Sequence, residues 1–454
     1  MSRRQGHLHL TLVLHPMGIH QAGWAHPKSV FGNKLSDYVH LAQLAENARF
    51  DGIFLADGPS MISEDMEEGS RHPYGDGFEP LTLLSALSAV TSRLGLIATA
   101  SSTYSEPYNV ARQFASLDRL SNGRAGFNLV TTVSTIAAAN FGRTHPPHAE
   151  RYERAGEFIE VLEGLWDSWE DDAFIHDRDE GRYFDPAKGH LLNYSGKHFS
   201  VRGPLNTARP VQGHPVKVQA GASEVGKRLA ARTADVVFTV SQTLEEAKAF
   251  YSDIKQLAAG YGRNPDHVRV LPGVVPFIGR TEEEAQEQFE YLQDLLHPAS
   301  GVAKLSAAFG LDLSGYPLDG PLPDLPATEA SKGMQELLTS LARRENMTLR
   351  QLYKHVSGSF GHRMLIGTGK TVADQLEEWY HAEAADGYNI MFPYQPGGME
   401  QFVEHVLPEL QRRGVFRTEY EGGTLREHLG LPRPDNRHVL RHDPARERAV
   451  ATAD

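Results

Sequence analysis

The sequence contains no cysteine among its 454 residues. This absence excludes disulfides, thiolate catalysis, iron–sulfur clusters and cysteine-ligated zinc, so any metal would need histidine or carboxylate ligands. No apolar run approaches the roughly 20 residues that span a bilayer, and the first six residues, MSRRQG, lack an apolar signal segment. We therefore expect a cytoplasmic protein that does not associate with a membrane.

Basic residues are also fewer than acidic residues. The 45 Lys and Arg residues oppose 58 Asp and Glu residues, which gives a formal net charge of −13, and no large basic block occurs. A nucleic-acid partner is therefore not expected. Apolar residues, in contrast, make up 40% of the chain, enough at this length to build a large core.

Short apolar runs alternate with longer amphipathic stretches through most of the chain, which is the pattern of βα units and a parallel sheet. Eight runs have the length of a strand: 8–14, 52–56, 94–98, 125–130, 216–220, 236–240, 268–278 and 389–392. Eight strands that are each followed by a helix predict a closed (β/α)8 TIM barrel. An open dinucleotide-binding sheet fits less well, because no strand precedes a glycine-rich fingerprint.

Two long segments, at about 171–210 and 298–369, interrupt this alternation. Insertions in barrels usually lie at the ends of strands, as walls or lids. We therefore predict one barrel domain over residues 1–434, with both insertions at its C-terminal face and a charged C-terminal tail over 435–454. The larger insertion, 298–369, is the candidate lid.

The residues after the strands are the most informative, because barrel chemistry lies at the C-terminal ends of the strands. After the fifth strand, Gly221-Ala222-Ser223 leads into a helix predicted from Glu224. Such a turn would point free N–H groups and a hydroxyl toward one place, which favours a phosphate site. The alternative is that Ser223 only caps the helix. The other strand ends carry hydroxyls, amides and one carboxylate, which suits a pocket for a cofactor.

Two motifs resemble sites but lack their context. His7 and His9 form a His-x-His pair, yet they stand at the start of the first strand, away from the catalytic face of a barrel. The segment 367–371, GTGKT, lacks the first glycine of a nucleotide P-loop, because Met364 stands there. We interpret Thr371 as a helix N-cap and predict no metal site.

Seven longer phrases carry a resemblance to one family. They are GIFLAD (52–57), STYSEPYNVAR (102–112), SNGRAGFNLVT (121–131), ERYERA (150–155), QAGAS (219–223), DGYNIM (386–391) and PELQRRGVFRTEYEGGTLR (408–426). From about residue 8 to 434, the sequence resembles the bacterial luciferase-like flavin-dependent monooxygenases. Its phrases are similar to the branch that contains nitrilotriacetate, EDTA, dibenzothiophene-sulfone and long-chain alkane monooxygenases.

The resemblance implies a two-component enzyme. A separate NAD(P)H:flavin reductase would supply reduced FMN (FMNH2), which would react with O2 to give a C4a-(hydro)peroxyflavin. One oxygen atom would then enter a small organic substrate. The same resemblance implies a homodimer or homotetramer.

The resemblance also assigns site residues by position. The cofactor-binding positions are Asp57, Thr103, Asn128, His148, Tyr152 and Ser223. Within that set, Tyr152 and Ser223 would face the phosphate. His20, after the first strand, is the candidate catalytic residue, either stabilising the peroxide or handling a proton.

Two alternatives of the same fold stay open at this point. One is an F420-dependent oxidoreductase that transfers hydride to or from a deazaflavin. The other is a non-catalytic flavin-binding protein, which would bind FMN without substrate-dependent oxygen consumption.

Overall fold

The computed structural model describes residues 6–61, 63–70, 73, 75–221, 223–326 and 332–441. Its strands are β1 (His9–Val13), β2 (Gly52–Leu55), β3 (Gly95–Ser101), β4 (Ala125–Val130), β5 (Tyr194–Ser195), β6 (Ser200–Val201), β7 (Val216–Ala220), β8 (Val236–Thr239), β9 (Arg269–Gly279), β10 (Arg363–Thr368) and β11 (Gly387–Ile390). Parallel pairing runs in the order β1-β2-β3-β4-β7-β8-β9-β11 and returns to β1. The predicted (β/α)8 barrel is therefore confirmed, and all eight predicted strands are present.

The strand β10 is an addition that the sequence pattern did not indicate. It lies at the end of the 298–369 segment and pairs in parallel with residues 274–279 of β9. This pairing is available because β9 has 11 residues and extends beyond its contacts with β8 and β11. The interpretation of Thr371 as an N-cap is wrong by three residues, since Thr368 ends β10 and its hydroxyl accepts a hydrogen bond from Thr371 N–H.

Helices alternate with the barrel strands, and further helices lie in the larger insertion and after the last strand. They are α1 (Leu35–Asn47), α2 (Met66–Gly69), α3 (Pro80–Ser88), α4 (Pro107–Leu120), α5 (Thr135–Asn140), α6 (His148–Trp166), α7 (Glu224–Thr233), α8 (Leu244–Gly260), α9 (Glu282–Asp294), α10 (Pro298–Phe309), α11 (Lys332–Arg344), α12 (Leu349–Ser359), α13 (Gly369–His381), α14 (Gly397–Gln401), α15 (Leu407–Arg412), α16 (Leu425–His428) and α17 (Arg437–Arg441). A π-helical turn, Phe402–Val406, joins α14 to α15. Across the ranges that the structure describes, none of these helices has the length and apolar character to cross a membrane.

The N-terminal end of the barrel is closed by residues that follow the last strand. Leu425 of α16 and Leu429, which follows this helix, belong to the same apolar cluster as the inward-facing Ile97 of β3. A Cβ atom at Gly95 would lie 2.5 Å from Leu425 Cδ1, so only glycine lets α16 approach the sheet this closely. We refer to α16 and its apolar side chains as the barrel floor.

The two long insertions have different contents. The segment 171–210 contains the β5–β6 hairpin, and the described part of 298–369 contains α10, α11, α12 and β10. The helices of the larger insertion share an apolar cluster with Ala22, in the loop after β1. The insertion therefore lies over the C-terminal face. The proposed domain boundaries stay predictions, and residues 442–454 of the predicted tail lie outside the described residues.

Candidate functional site

The turn between β7 and α7 brings two predicted residues to one place. Ser223 is the N-cap of α7, and its Oγ accepts a hydrogen bond from Gly226 N–H at 3.2 Å. A Cβ atom at Gly226 would lie 3.0 Å from Ser223 Oγ and 3.1 Å from Tyr152 Oη, which comes from α6. Ser223 therefore caps its helix as the alternative required, and its hydroxyl also lies beside that of Tyr152. Ala222 lies outside the described residues.

We call this group the α7 cradle, meaning Ser223, Gly226 and Tyr152. A serine hydroxyl that accepts one hydrogen bond still has its own proton to donate, and so has a tyrosine hydroxyl. The start of a helix adds free N–H groups and a partial positive charge. Two hydroxyl donors at a helix N-terminus form an arrangement that suits a phosphate group.

His148 lies next to this cradle, in the first turn of α6. Its ring centroid is 4.8 Å from that of Tyr152, and both side chains are half-buried. A polar contact also holds the start of α6, since Arg151 Nη1 lies 2.6 Å from His145 Nε2. The other ring nitrogen of His145 lies 2.8 Å from the Tyr104 hydroxyl, so α6 is fixed to the loop after β3.

Asn128 faces the interior of the barrel. It pairs in register with Thr99, two residues after the inward-facing Ile97 on β3, and its Nδ2 donates to Thr99 Oγ1 at 2.8 Å. Its Oδ1 is buried and has no hydrogen-bond partner among the described residues. A buried acceptor of this kind is costly unless a ligand supplies a donor. The N–H groups of a flavin ring would do so.

Thr103 and Asp57 occupy different environments. Thr103 is buried, and its hydroxyl donates to the carbonyl of Thr131 at 2.8 Å, which leaves only its lone pairs for a ligand. Asp57 follows β2 and is exposed at the rim. Partial burial of the carboxyl group, and secondly the charge of Glu79, raise the pKa of Asp57 above its ordinary value. The roles assigned to both residues stay predictions.

His20 is buried in the loop after β1, with 1% of its surface exposed. Its Nδ1 accepts a hydrogen bond from Ala22 N–H at 3.0 Å, so the proton of the neutral ring is assigned to Nε2. That Nε2 atom has no partner among the described residues. Burial, and then the charge of Lys304, lower the pKa of His20 to about 3. His20 is therefore a neutral hydrogen-bond donor near pH 7, where the sequence suggested an imidazole that titrates.

Two buried polar residues near His20 had no place in the sequence analysis. Lys304 of α10 is 6% exposed, and Gln293 of α9 is 5% exposed. Both come from the region over the C-terminal face. A possible signal was present, since Lys304 is the single charged residue of the otherwise apolar and small-residue helix Pro298–Phe309.

Metal ligation has no support in the part of the chain that the structure describes, where no three His, Cys, Asp or Glu side chains converge. His9, from the His-x-His pair, instead lies 3.2 Å from the buried carboxylate of Asp51. Both stand at the N-terminal end of the strands, where Asp51 also accepts from Arg417 at 2.7 Å. This ion-pair group supports the fold at the face opposite the site.

The residues above fit FMN on three observations. The α7 cradle supplies donors for a phosphate, and a side chain at Gly226 would fill it. The unpaired Asn128 Oδ1 supplies an acceptor inside the barrel. The Nε2–H of His20 supplies a donor at the mouth of β1.

Comparisons with known proteins point in the same direction. Residues 11–387 match the family described as luciferase-like monooxygenase. The chain is 50% identical over 446 residues to N-acetyl-S-(2-succino)cysteine monooxygenase of Bacillus subtilis (strain 168), which covers 97% of this chain and 100% of that one. It is 50% identical over 442 residues to nitrilotriacetate monooxygenase component A of Aminobacter aminovorans, covering 94% and 97%. A solved riboflavin lyase with modified FMN and riboflavin is 32% identical, with a TM-score of 0.84 and coverage of 94% and 96%.

Proposed function

Because this chain belongs to the luciferase-like monooxygenase family and is a flavin-dependent monooxygenase, we propose that it is the oxygenase component of a two-component system. It uses reduced FMN and O2 to insert one oxygen atom into a small organic substrate. A separate NAD(P)H:flavin reductase supplies the FMNH2. A relative that is named as component A supports this division. The cytoplasmic location and the dimeric or tetrameric state stay predictions.

The observation that carries the proposal is the α7 cradle. Ser223 and Tyr152 come from different helices, 71 positions apart in the sequence, yet their hydroxyls meet at Gly226. They bind the phosphate, while His148 lies beside Tyr152. Asn128 accepts a hydrogen bond from the ring, and Thr103 and Asp57 lie along the path toward the rim. When bound, reduced FMN supplies the electrons that activate O2.

The chain itself covers the loop after β1 and supplies a hydrogen-bond donor. The insertion lies over the loop that contains His20, because Gln21 N–H donates to the Ser357 carbonyl at 2.8 Å and Gln21 Nε2 donates to the Ser300 carbonyl at 3.1 Å. Excluding water in this way strengthens the hydrogen bonds inside. His20 Nε2–H then stabilises a developing negative charge on oxygen without transferring its proton.

The function is tested by oxygen uptake with NADH, FMN and a generic flavin reductase. The first compounds are nitrilotriacetate and N-acetyl-S-(2-succino)cysteine, after the relatives, followed by sulfones, amines, ketones and hydrocarbons. We expect at least one compound to accelerate oxygen uptake and to lower the yield of H2O2. FMN binding with no response to any compound would favour the non-catalytic alternative. Oxidation of reduced F420 in place of FMNH2 would favour the deazaflavin alternative.

Replacing His20 with asparagine is expected to slow substrate oxidation about tenfold and to raise H2O2 release, because a hydrogen-bond donor is lost. Asparagine keeps an acceptor for Ala22 N–H but has no group at the Nε2 position. The measurement is the ratio of product to oxygen consumed, from pH 6 to pH 9. The pH profile should not change, since the low pKa of His20, about 3, leaves the ring neutral throughout.

The matched control for His20 is glutamine, whose amide N–H reaches the position of Nε2. His20→Gln is expected to retain most of the coupling that His20→Asn loses. Equal coupling in the asparagine variant and the wild type would contradict the role of His20 as a donor.

A further inference from the structure

Lys304 is a buried amine that has no counter-charge among the described residues, and burial lowers the pKa of its ammonium form well below the ordinary value. Its side chain leaves α10, and its Nζ has no hydrogen bond or ion pair among the described residues. Its contact is with the face of the Phe360 ring, whose centroid lies 3.1 Å from Nζ. Burying an unpaired ammonium is expensive, and an aromatic face offsets only part of that cost. Lys304 therefore lowers the stability of the folded protein unless its amine binds a ligand.

The ammonium group lies near the mouth of β1. Its charge is a cause of the lowered pKa values of His15 and His20, although burial is the larger cause for both. Within the described ranges, no carboxylate contributes to the pKa of either histidine. Both histidines are neutral near pH 7, so neither supplies a counter-charge to Lys304.

Other unpaired polar groups surround the C-terminal end of α12. A Cβ atom at Gly358 would lie 2.9 Å from Gln293 Nε2 and 3.3 Å from His20 Cδ2. Gln293 has no hydrogen-bond partner at either amide atom, and the Ser357 hydroxyl is buried without one, among the described residues. The Gln293 amide nitrogen and the Ser357 hydroxyl are donors, as Lys304 is, whereas Gln293 Oε1 is an acceptor.

The backbone at this point is also unusual. Phe360, which ends α12, has φ 51° and ψ 31°, in the left-handed region that non-glycine residues rarely adopt. This conformation places its ring under Lys304 Nζ. Strain of this kind is more frequent at binding sites than elsewhere.

A cavity lies beside the loop after β1 and the first turn of α10, although Lys304, Gln293 and Ser357 do not line it. It has a volume of about 300 Å³, and its lining includes Gln21, next to His20, and Ser300, four residues before Lys304 on α10. Residues four apart share a helix face. The volume is within the range of small-molecule pockets. Glu67, its acidic lining residue, is exposed, so solvent screens its charge.

We propose that Lys304 binds a carboxylate group of the organic substrate, with Gln293 Nε2 and the Ser357 hydroxyl as further donors. This inference rests on the proposed function, because it assigns a substrate class to the same site. The carboxylate supplies the missing counter-charge, and the rest of the substrate extends toward His20 and the barrel interior. The phosphate of FMN is not the proposed occupant, because we assign it to the α7 cradle, which follows β7, four strands from β1 in the barrel order.

The test compares binding of malonate, succinate and iminodiacetate with that of their dimethyl esters, by calorimetry on the full chain with FMN. We expect at least one carboxylate to bind the wild type saturably, and its ester to bind at least about tenfold more weakly. Lys304→Met, which keeps the apolar stem, is expected to weaken carboxylate binding about tenfold or more. Equal binding of acid and ester, carboxylate binding unchanged in Lys304→Met, or no carboxylate bound by the wild type would overturn the proposal.

The control variant is Lys354→Met, which removes a half-exposed lysine of the same insertion that pairs with Asp294 of α9. It is expected to bind carboxylates as the wild type does. Inorganic sulfate tests whether Lys304 binds an inorganic anion instead of an organic carboxylate. If sulfate binds in a manner that depends on Lys304 and no carboxylate binds, the assignment to the substrate is overturned.

Lys304→Met is expected to fold, and to raise the melting temperature, because it removes an unpaired buried amine. A wild type that neither binds reduced FMN nor produces H2O2 without substrate would contradict the proposed function. A wild type that does both but binds no carboxylate would contradict only the present inference.

Discussion

A variant with both Ser223→Ala and Tyr152→Phe is expected to bind reduced FMN more weakly by about 1–3 kcal/mol, roughly a 5- to 150-fold rise in Kd. Both substitutions remove a hydroxyl donor from the α7 cradle and leave the remaining carbon atoms in place. In a partly buried position, the two hydrogen bonds that the phosphate loses are stronger than those that water forms in their place. The measurement is an anaerobic titration of reduced FMN, followed by protein fluorescence.

The matched control for this variant is Thr424→Ala with Tyr194→Phe. It also removes a helix N-cap and a tyrosine hydroxyl, since Thr424 caps α16 and Tyr194 donates to Glu160, but neither residue lies at the cradle. Both double variants should lose about 1 kcal/mol of stability through the missing cap. Only the first should lose affinity for FMN, and wild-type affinity there would contradict the phosphate assignment.

Replacing Arg426 with methionine is expected to lower the free energy of unfolding by about 3–5 kcal/mol. Arg426 Nη2 donates to the buried carboxylate of Asp235 at 2.8 Å, and Arg426 Nε donates to the carbonyl of His214 at 2.9 Å. Methionine fills similar space but leaves the carboxylate short of a counter-charge. Urea unfolding at pH 7 measures the loss.

Exposed Arg412→Met provides the comparison, because its pair with Glu409 lies at the surface. It should cost less than about 1 kcal/mol. A similar small cost for Arg426→Met would show that the ion pair at the barrel floor contributes little to stability.

The ion pair between Arg426 and Asp235 also predicts how the stability of the fold changes at acid pH. Burial alone would raise the pKa of Asp235, but the charges of Arg426 and Lys217 outweigh it and lower the pKa to about 2, from the ordinary 3.8. Such a carboxylate stabilises the fold above the ordinary pKa, and this contribution is lost as the pH falls from about 4 to about 2. The stability difference between the wild type and Arg426→Met should therefore shrink over this interval. A constant difference would contradict the assignment.

The barrel and its family could be predicted because their signals are local. Strand-length apolar runs alternate with helical patterns, and the Gly-x-Ser turn before Glu224 marks the start of α7 with no reference to distant residues. The strand β10 could not be predicted in this way. Its existence depends on the free end of β9, which only the assembled sheet provides.

The properties of the site also differ in whether the sequence alone could predict them. Tyr152 and Ser223 were assigned through resemblance, and their meeting at Gly226 is consistent with that assignment but could not follow from spacing. The protonation of His20 depends on its burial and on Lys304, which is 284 positions away in the sequence. Lys304 itself stands in a helix where a lone lysine normally indicates a solvent-facing position, and packing of the insertion decides otherwise.

The barrel floor also determines when the barrel can be completed during translation. Leu425 fits against Gly95 of β3, and Arg426 neutralises Asp235 beside β8, so residues translated after the last strand complete contacts with strands translated long before. Until α16 leaves the ribosome, the lower opening of the cylinder exposes apolar side chains and a carboxylate without its partner. Completion of the barrel therefore waits for translation of α16, and a chaperone that shields this opening would act after the strands have been translated.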